Sequence, residues 1–198
     1  MSNIPDKHIL SIRPKHYLKQ GPSHCGAFCA KAILEALGKD TKSHPTEYHP
    51  TKLGKLTGMT LGRNYYVNIL KLNGVNCQIK SAKILNLQEK LDLLKSLLQE
   101  NLPVMLRIGN GFDTNIYNLI LGKIVAHWIT LWGYDDNKKT FYIYDSGLPE
   151  TYWNKTLPIG NTTRTYNEIA RDWSFGKYQF WAWPFMGVSS FDYIQIKR

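Results

Sequence analysis

Cysteine is scarce in this chain, and long apolar runs and clustered charge are missing. Three cysteines, Cys25, Cys29 and Cys77, occur among 198 residues. So small and odd a number, in a chain of this length, argues against a disulfide framework and predicts reduced thiols. No apolar stretch approaches the ~20 residues that cross a bilayer, so no membrane span is expected. The opening MSNIPDKHIL lacks the basic segment and apolar core of a secretory signal, which predicts cytoplasmic synthesis; export by another route leaves no such mark. Acidic residues are outnumbered, 15 against 25 Lys and Arg, for a formal charge of +10. The lysines are nevertheless dispersed, with neither zinc-finger spacing nor an aromatic RNA-binding consensus, so no specific nucleic-acid function is expected. A broadly positive field does favour encounter with an acidic peptide or protein partner. Cys25, Cys29 and His24 have no second ligand pair at metal-binding spacing, and neither metal nor cofactor is expected.

The composition, 43% hydrophobic and 20% charged, is that of a globular protein, and residues 1–198 are expected to form a single domain. Residues 1–19, broken by Pro5 and Pro14, read as an irregular lead-in that covers an edge. In QGPSHCGAFCAKAILEALG, Gln20 to Gly38, a turn at Pro22-Ser23 runs into apolar positions at helical spacing, Ala27, Ala30, Ile33, Leu34 and Leu37. Lys39 to Thr60 reads as a long polar loop of the kind that forms a lid or binding wall, with His44 and His49 solvated. Leu61, Tyr65, Ile69 and Leu72 predict a second helix stopped at Asn73-Gly74, and Val75 to Ile79 a short strand in which Cys77 packs. Asn86 and Glu89 have capping-box spacing before a third helix that ends by Pro103. Strands follow at Val104 to Ile108, Ile124 to Tyr134, Thr140 to Asp145, Tyr178 to Phe185 and Tyr193 to Ile196. Trp153, Trp181 and Trp183 are assigned to aromatic core. Helices first and strands second predict an α+β fold. Its N-terminal helical lobe, residues 1–100, would carry the nucleophile and pack on a C-terminal antiparallel sheet, residues 101–198.

Two constellations carry chemistry. Cys25 falls in the first turn of its helix, where free N–H groups and the positive dipole end favour a thiolate. Gly26 removes a side chain beside the sulfur, the Cys25 N–H can face an oxyanion, and Gln20 can supply a second donor. Cys29, four residues on, reads as core beneath it. Alone, Cys25 reads as a small core hydrophobe, the commoner fate of a free cysteine. The second constellation lies in AHWITLWGYDDNKKTFYIYDSG, Ala126 to Gly147, a hairpin. A loop over Tyr134 to Lys138, with Asp135 and Asp136 in it, sets 133 against 139, 131 against 141, 129 against 143, and so His127 against Asp145. Opposed residues lie close enough for the carboxylate to accept from one ring nitrogen and leave the other for a thiol. Alone, His127 reads as a hydrogen-bonded core histidine. With Cys25 it completes the nucleophile, base and orienter of a thiol enzyme.

Gln-x4-Cys-Gly at a helix start, then LPVMLRI, AHWITLWGYD and YDSG, resembles the papain-like cysteine peptidase superfamily. The nearest pattern is that of the bacteriocin-processing (double-glycine leader) peptidases and their stand-alone relatives. The resemblance runs from about Gln20 to Gly147, with a weaker echo from Tyr166 to Trp173. It implies Cys25 as nucleophile, His127 as general base and acid, Asp145 as orienter and Gln20 as oxyanion donor. It departs in the shorter Gln-to-Cys spacing and in Ser146, where many relatives carry proline after the aspartate. Phytochelatin synthases share the residue order, but their cysteine-rich tail has no counterpart here. The expected function is hydrolysis of a peptide or isopeptide bond through an acyl-enzyme. A glutamine deamidase or acyl transferase would use the same triad, and a non-catalytic binding module would keep the same fold.

Overall fold

The computed structural model describes residues 4–113, 116–175 and 190–198. In chain order its elements are β1 (Lys7–Ile9), α1 (Cys25–Ala36), α2 (Lys52–Thr57), α3 (Tyr65–Leu72), β2 (Cys77–Ser81), α4 (Leu87–Gln99), β3 (Val104–Gly109), β4 (Phe112–Asp113), β5 (Ile116–Tyr117), α5 (Leu119–Ile124), β6 (Ala126–Asp135), β7 (Thr140–Tyr144), β8 (Thr162–Thr165), α6 (Tyr166–Ser174) and β9 (Asp192–Ile196). This is an α+β fold of papain-like type, built, among the described residues, on a seven-stranded sheet of order β2-β9-β3-β6-β7-β8 with β1 also paired to β6. Every pairing in it is antiparallel. β6 is the spine. Along one edge β3 pairs with Ala126 to Leu131, and β1 takes over from Gly133 to Asp135.

The sheet is covered on both sides, which explains why β3 and β6 read as nearly unbroken apolar runs. Val104, Leu106 and Ile108 pack in one core with Leu94 and Leu98 of α4 and Ile169 and Trp173 of α6. Met105 alternates to the other core, with Ile33 and Leu34 of α1, Val67 and Leu70 of α3, and Trp128 of β6. α4 begins on the capping box expected of it: the Asn86 side chain accepts from the Glu89 N–H, and the Glu89 carboxylate from the Asn86 N–H.

Five local expectations change. Lys7–Ile9 of the lead-in form a sheet strand, and this strand covers an edge as expected, the part of β6 that β3 leaves open. The loop from Lys39 to Thr60 contains a 3-10 turn at Pro45–Tyr48, capped by His44, and the short helix α2. α3 starts only at Tyr65, so Leu61 and Leu72 are 75% and 81% exposed, and the buried face is Tyr66, Val67, Ile69 and Leu70. α5, with Asn118 accepting from the Ile120 and Leu121 N–H groups, occupies residues just before β6. Trp153 lies in a loop, half-buried, where its indole donates to the Leu148 carbonyl. The strand expected at Tyr178 to Phe185, with Trp181 and Trp183, lies outside the described residues.

Candidate active site

α1 opens at Cys25 itself, and the residue before it is strained. His24 holds a left-handed backbone, φ 78°, and contributes no side-chain cap; its carbonyl accepts from Ala27 and Phe28. A non-glycine residue in that region is uncommon and clusters at functional sites. The first turn carries no acidic side chain to compete for the helix's positive end. Cys25 is half-buried and free, whereas Cys29 and Cys77 are buried. The Cys29 thiol donates to the Trp128 carbonyl at 3.2 Å. Burial first, then the neighbouring Cys25 and Asp145, push that thiol well above its ordinary range, which makes it inert core.

Gly26 serves a different purpose from the one its sequence suggests. A Cβ at this position would lie 2.2 Å from the ring of Tyr66. The missing side chain makes room for Tyr66, which packs edge-on to Trp128 at 5.6 Å between ring centroids. An aromatic wall, rather than open space for a carbonyl, stands beside Gly26.

His127 and Asp145 meet, but not by the expected opposition. β6 and β7 pair Asp135 with Thr140, Tyr134 with Phe141 and Gly133 with Tyr142. The register then shifts at a bulge to Leu131 with Ile143 and Thr130 with Tyr144. Continued from there, 127 lies opposite 147, and Asp145 is its diagonal neighbour on the same face. A Cβ on Gly147 would stand 3.0 Å from His127 Cε1, which fits that offset. The contact survives: His127 Nε2 lies 2.7 Å from Asp145 Oδ1, both side chains buried. Nε2 being used, Nδ1 is the nitrogen left for a thiol, and the charge of His127 is the strongest influence lowering the Cys25 thiol. Asp135 and Asp136 are no loop-surface pair either. Asp135 ends β6, buried, beside Lys7, and Asp136 pairs with Lys95 and accepts from the Tyr166 hydroxyl.

Asp145 is the hub of a buried network that sequence reasoning missed. Its Oδ1 also accepts from the Gly147 N–H at 2.9 Å, and its Oδ2 accepts from Arg164 Nη2 at 2.7 Å. Arg164 Nη1 continues to Asp172 Oδ2 at 2.9 Å. The Asn161 side chain clamps the Asp145 backbone, accepting from its N–H and donating to its carbonyl, each at 2.9 Å. Asn161 and Arg164 are brought to the site by β8, which pairs with β7; nothing in the TTRT string marks it.

The electrostatics favour an ion pair. Burial, the largest influence on the Cys25 thiol, raises it, but the charge and hydrogen bond of His127 and backbone hydrogen bonds at Trp128 and Gly26 prevail, and the net shift is downward. Burial likewise lowers His127, yet the charges of Asp145 and Cys25 and their hydrogen bonds lift it from 6.5 to about 10. For Asp145, burial pushes up while His127, Arg164 and Gly147 hold the carboxyl far below its usual range. The arrangement stabilises thiolate with imidazolium.

Gln20 is buried and lines the same cleft as Cys25 and His127. Its backbone N–H donates to the Ser146 carbonyl at 3.0 Å, and its side-chain oxygen accepts from the Ser146 hydroxyl at 2.5 Å. With the oxygen so engaged, the amide nitrogen is the end free to donate. Ser146, the departure from proline, thus orients the amide. His49, expected to be solvated, is 1% exposed and lies behind His24 and Tyr65, which line the cleft. A chain runs from His24 Nδ1 to His49 Nε2 at 3.2 Å and from His49 Nδ1 to the Tyr65 hydroxyl at 2.8 Å. Burial and then His24 bring His49 down to about 4, so it is neutral.

A family model described as Peptidase_C39 like family matches residues 10–174, most of the chain. No curated protein matches it.

Proposed function

The chain belongs to the Peptidase_C39-like family and is of cysteine-peptidase type in general, and on that premise we propose that it cleaves peptide or isopeptide bonds through Cys25, His127 and Asp145. The observation that carries the reading is the buried 2.7 Å contact that His127, which lines the same cleft as Cys25, makes with Asp145. The Cys25 thiolate attacks the scissile carbonyl carbon, and the oxyanion accepts from the Cys25 N–H and the Gln20 amide. The imidazolium of His127 gives its proton to the leaving amine as the C–N bond breaks. Water then attacks the thioester as His127 accepts its proton, and the intermediate collapses with cleavage of the C–S bond, releasing the carboxylic product and restoring the Cys25 thiolate beside the imidazolium. Asp145 acts through His127, holding the ring's Nε2 side and its charge.

The test is a digest of a diverse peptide mixture, read by mass spectrometry for new N-termini. Wild-type protein should create termini that Cys25→Ala does not. Glutamine residues gaining one mass unit without new termini would instead identify a deamidase, and identical wild-type and Cys25→Ala digests a non-catalytic module.

A further inference from the structure

The cleft beside Cys25 is lined by cations and, among the described residues, by no aspartate or glutamate. Two guanidinium groups face it, and they differ. Arg63 is neutralised by Asp192, with Nε at 3.0 Å and Nη2 at 2.7 Å from the two carboxylate oxygens. Arg107 is 5% exposed, and its Nε has no hydrogen-bond partner. No ion pair to Arg107 occurs among the described residues. Burying a guanidinium whose Nε makes no hydrogen bond is unfavourable unless something compensates it.

The sheet explains how it is held there. Arg107 pairs with Trp128 across β3 and β6, and the next residue along, Ile108, pairs with His127. Directly opposed residues share a sheet face, so Arg107 stands with Trp128 on the side that carries α1. The charge it interacts with most is that of Asp192, the carboxylate already engaged by Arg63, and after it those of Cys25 and Tyr66. Burial lowers it to about 10, which leaves it charged at neutral pH. A charged, desolvated fork in the cleft that Cys25 lines, with no aspartate or glutamate among the described lining residues, is suited to receive a carboxylate.

We propose that Arg107 forms an anion subsite in which a carboxylate of the substrate docks next to the scissile bond, so that the enzyme selects peptides bearing an acidic side chain or a terminal carboxylate there. This rests on the cysteine-peptidase reading above. It differs from a general effect of the +10 charge, because it assigns the selectivity to one buried residue that bulk salt screens little.

The experiment compares alkylation of Cys25 by iodoacetate and by iodoacetamide, with the adduct located by mass. The two reagents differ by one negative charge, so the ratio of their rates reads an anion site and cancels thiol reactivity. Wild-type protein should prefer iodoacetate, and Arg107→Gln should lower the ratio about tenfold or more. Arg107→Lys, which keeps the charge, should retain most of it. A ratio unchanged in Arg107→Gln overturns the proposal. Should that variant not fold, wild-type protein alone decides: N-acetylglutamate α-amide or N-acetyl-glycylglycine should protect Cys25 from iodoacetamide where N-acetylglutamine α-amide does not. The first probe carries a side-chain carboxylate and the second a terminal one, so their difference names the source; protection by neither overturns the subsite. A Cys25 that reacts no faster than Cys29 or Cys77 would sink the peptidase reading instead, while the ratio still reports on Arg107.

Discussion

Asparagine at position 145 is a near-isostere, yet the network makes it a severe change. The aspartate side chain accepts three hydrogen bonds, from His127 and Gly147 on Oδ1 and from Arg164 on Oδ2. An amide has one accepting oxygen and one donating nitrogen. With the oxygen toward His127, the NH2 group confronts the Arg164 guanidinium; flipped, it confronts His127 and Gly147. Either way two donors oppose each other, and the negative charge between two cations is gone. Breaking a buried pair of this kind costs about 3–5 kcal/mol, which for a chain of this length lowers the unfolding temperature by roughly 10 °C. Turnover should fall by about 10²–10⁴-fold, because the charge that holds the imidazolium is lost. Thermal unfolding followed by fluorescence, beside peptide cleavage, measures both. Asp145→Asn with Arg164→Met should recover part of the stability, since the opposing donor is removed, but none of the turnover. The coupling between the two changes should be about 1–3 kcal/mol. If Asp145→Asn unfolds within about 2 °C of wild type and loses less than tenfold in turnover, Asp145 is not the hub of the site.

Further outcomes follow from the same contacts. Gln20→Ala should lower kcat by about 10²–10³ if its amide donates to the oxyanion. Ser146→Ala should cost at most about tenfold, since only the orienting hydrogen bond is lost; equal kcat values for these two variants would contradict the roles given to them. Gly26→Ala should destabilise by about 1–3 kcal/mol by driving a methyl into Tyr66, and Tyr66→Leu should relieve it, both read by denaturant unfolding. Stability should depend on pH through His127 and Asp145. The folded His127 pKa, about 10, exceeds its ordinary 6.5, so its contribution is complete below pH 6.5 and is lost as pH rises toward 10. The Asp145 pKa is depressed, so its contribution is present above its ordinary 3.8 and is lost as the solution is acidified through the folded value. Asp145→Asn should flatten the alkaline decline; a decline equally steep in both proteins would remove the linkage.

What was legible in the sequence was whatever local chemistry determines. The Asn86–Glu89 capping box, the helix opening at Cys25 and the apolar strings of β3 and β6 all announce themselves, because caps and periodicity act within a few residues. The approach of His127 to Asp145 was legible only as two neighbouring strands. Past the turn these pair residues of opposite parity, Asp135 with Thr140, and it is the bulge between Leu131 and Gly133 that returns residues of one parity to a shared face. The register was not legible. The turn after Asp135 closes with Lys139 at φ 50° and the Asp135 carboxylate accepting from the Lys138 N–H, a left-handed lysine that no turn signature predicts. The bulge between Leu131 and Gly133 then adds its own shift. Arg164, Asn161 and Arg107 were invisible for another reason: their meaning is electrostatic and long-range. Arg164 stands 19 residues from Asp145, in a strand with no distinguishing pattern, and Arg107 interrupts an apolar string where one charged residue usually means an exposed edge.

The ion pair of Cys25 with His127 is tested most directly by the rate of Cys25 alkylation with iodoacetamide between pH 4 and pH 10. An activated thiolate gives a rate that is already high near neutrality, with its rising limb below the ordinary thiol value of 9.0. In the contradicting result, the rate is negligible at neutrality and climbs in a single step through that ordinary value, as for a cysteine that no imidazolium attends.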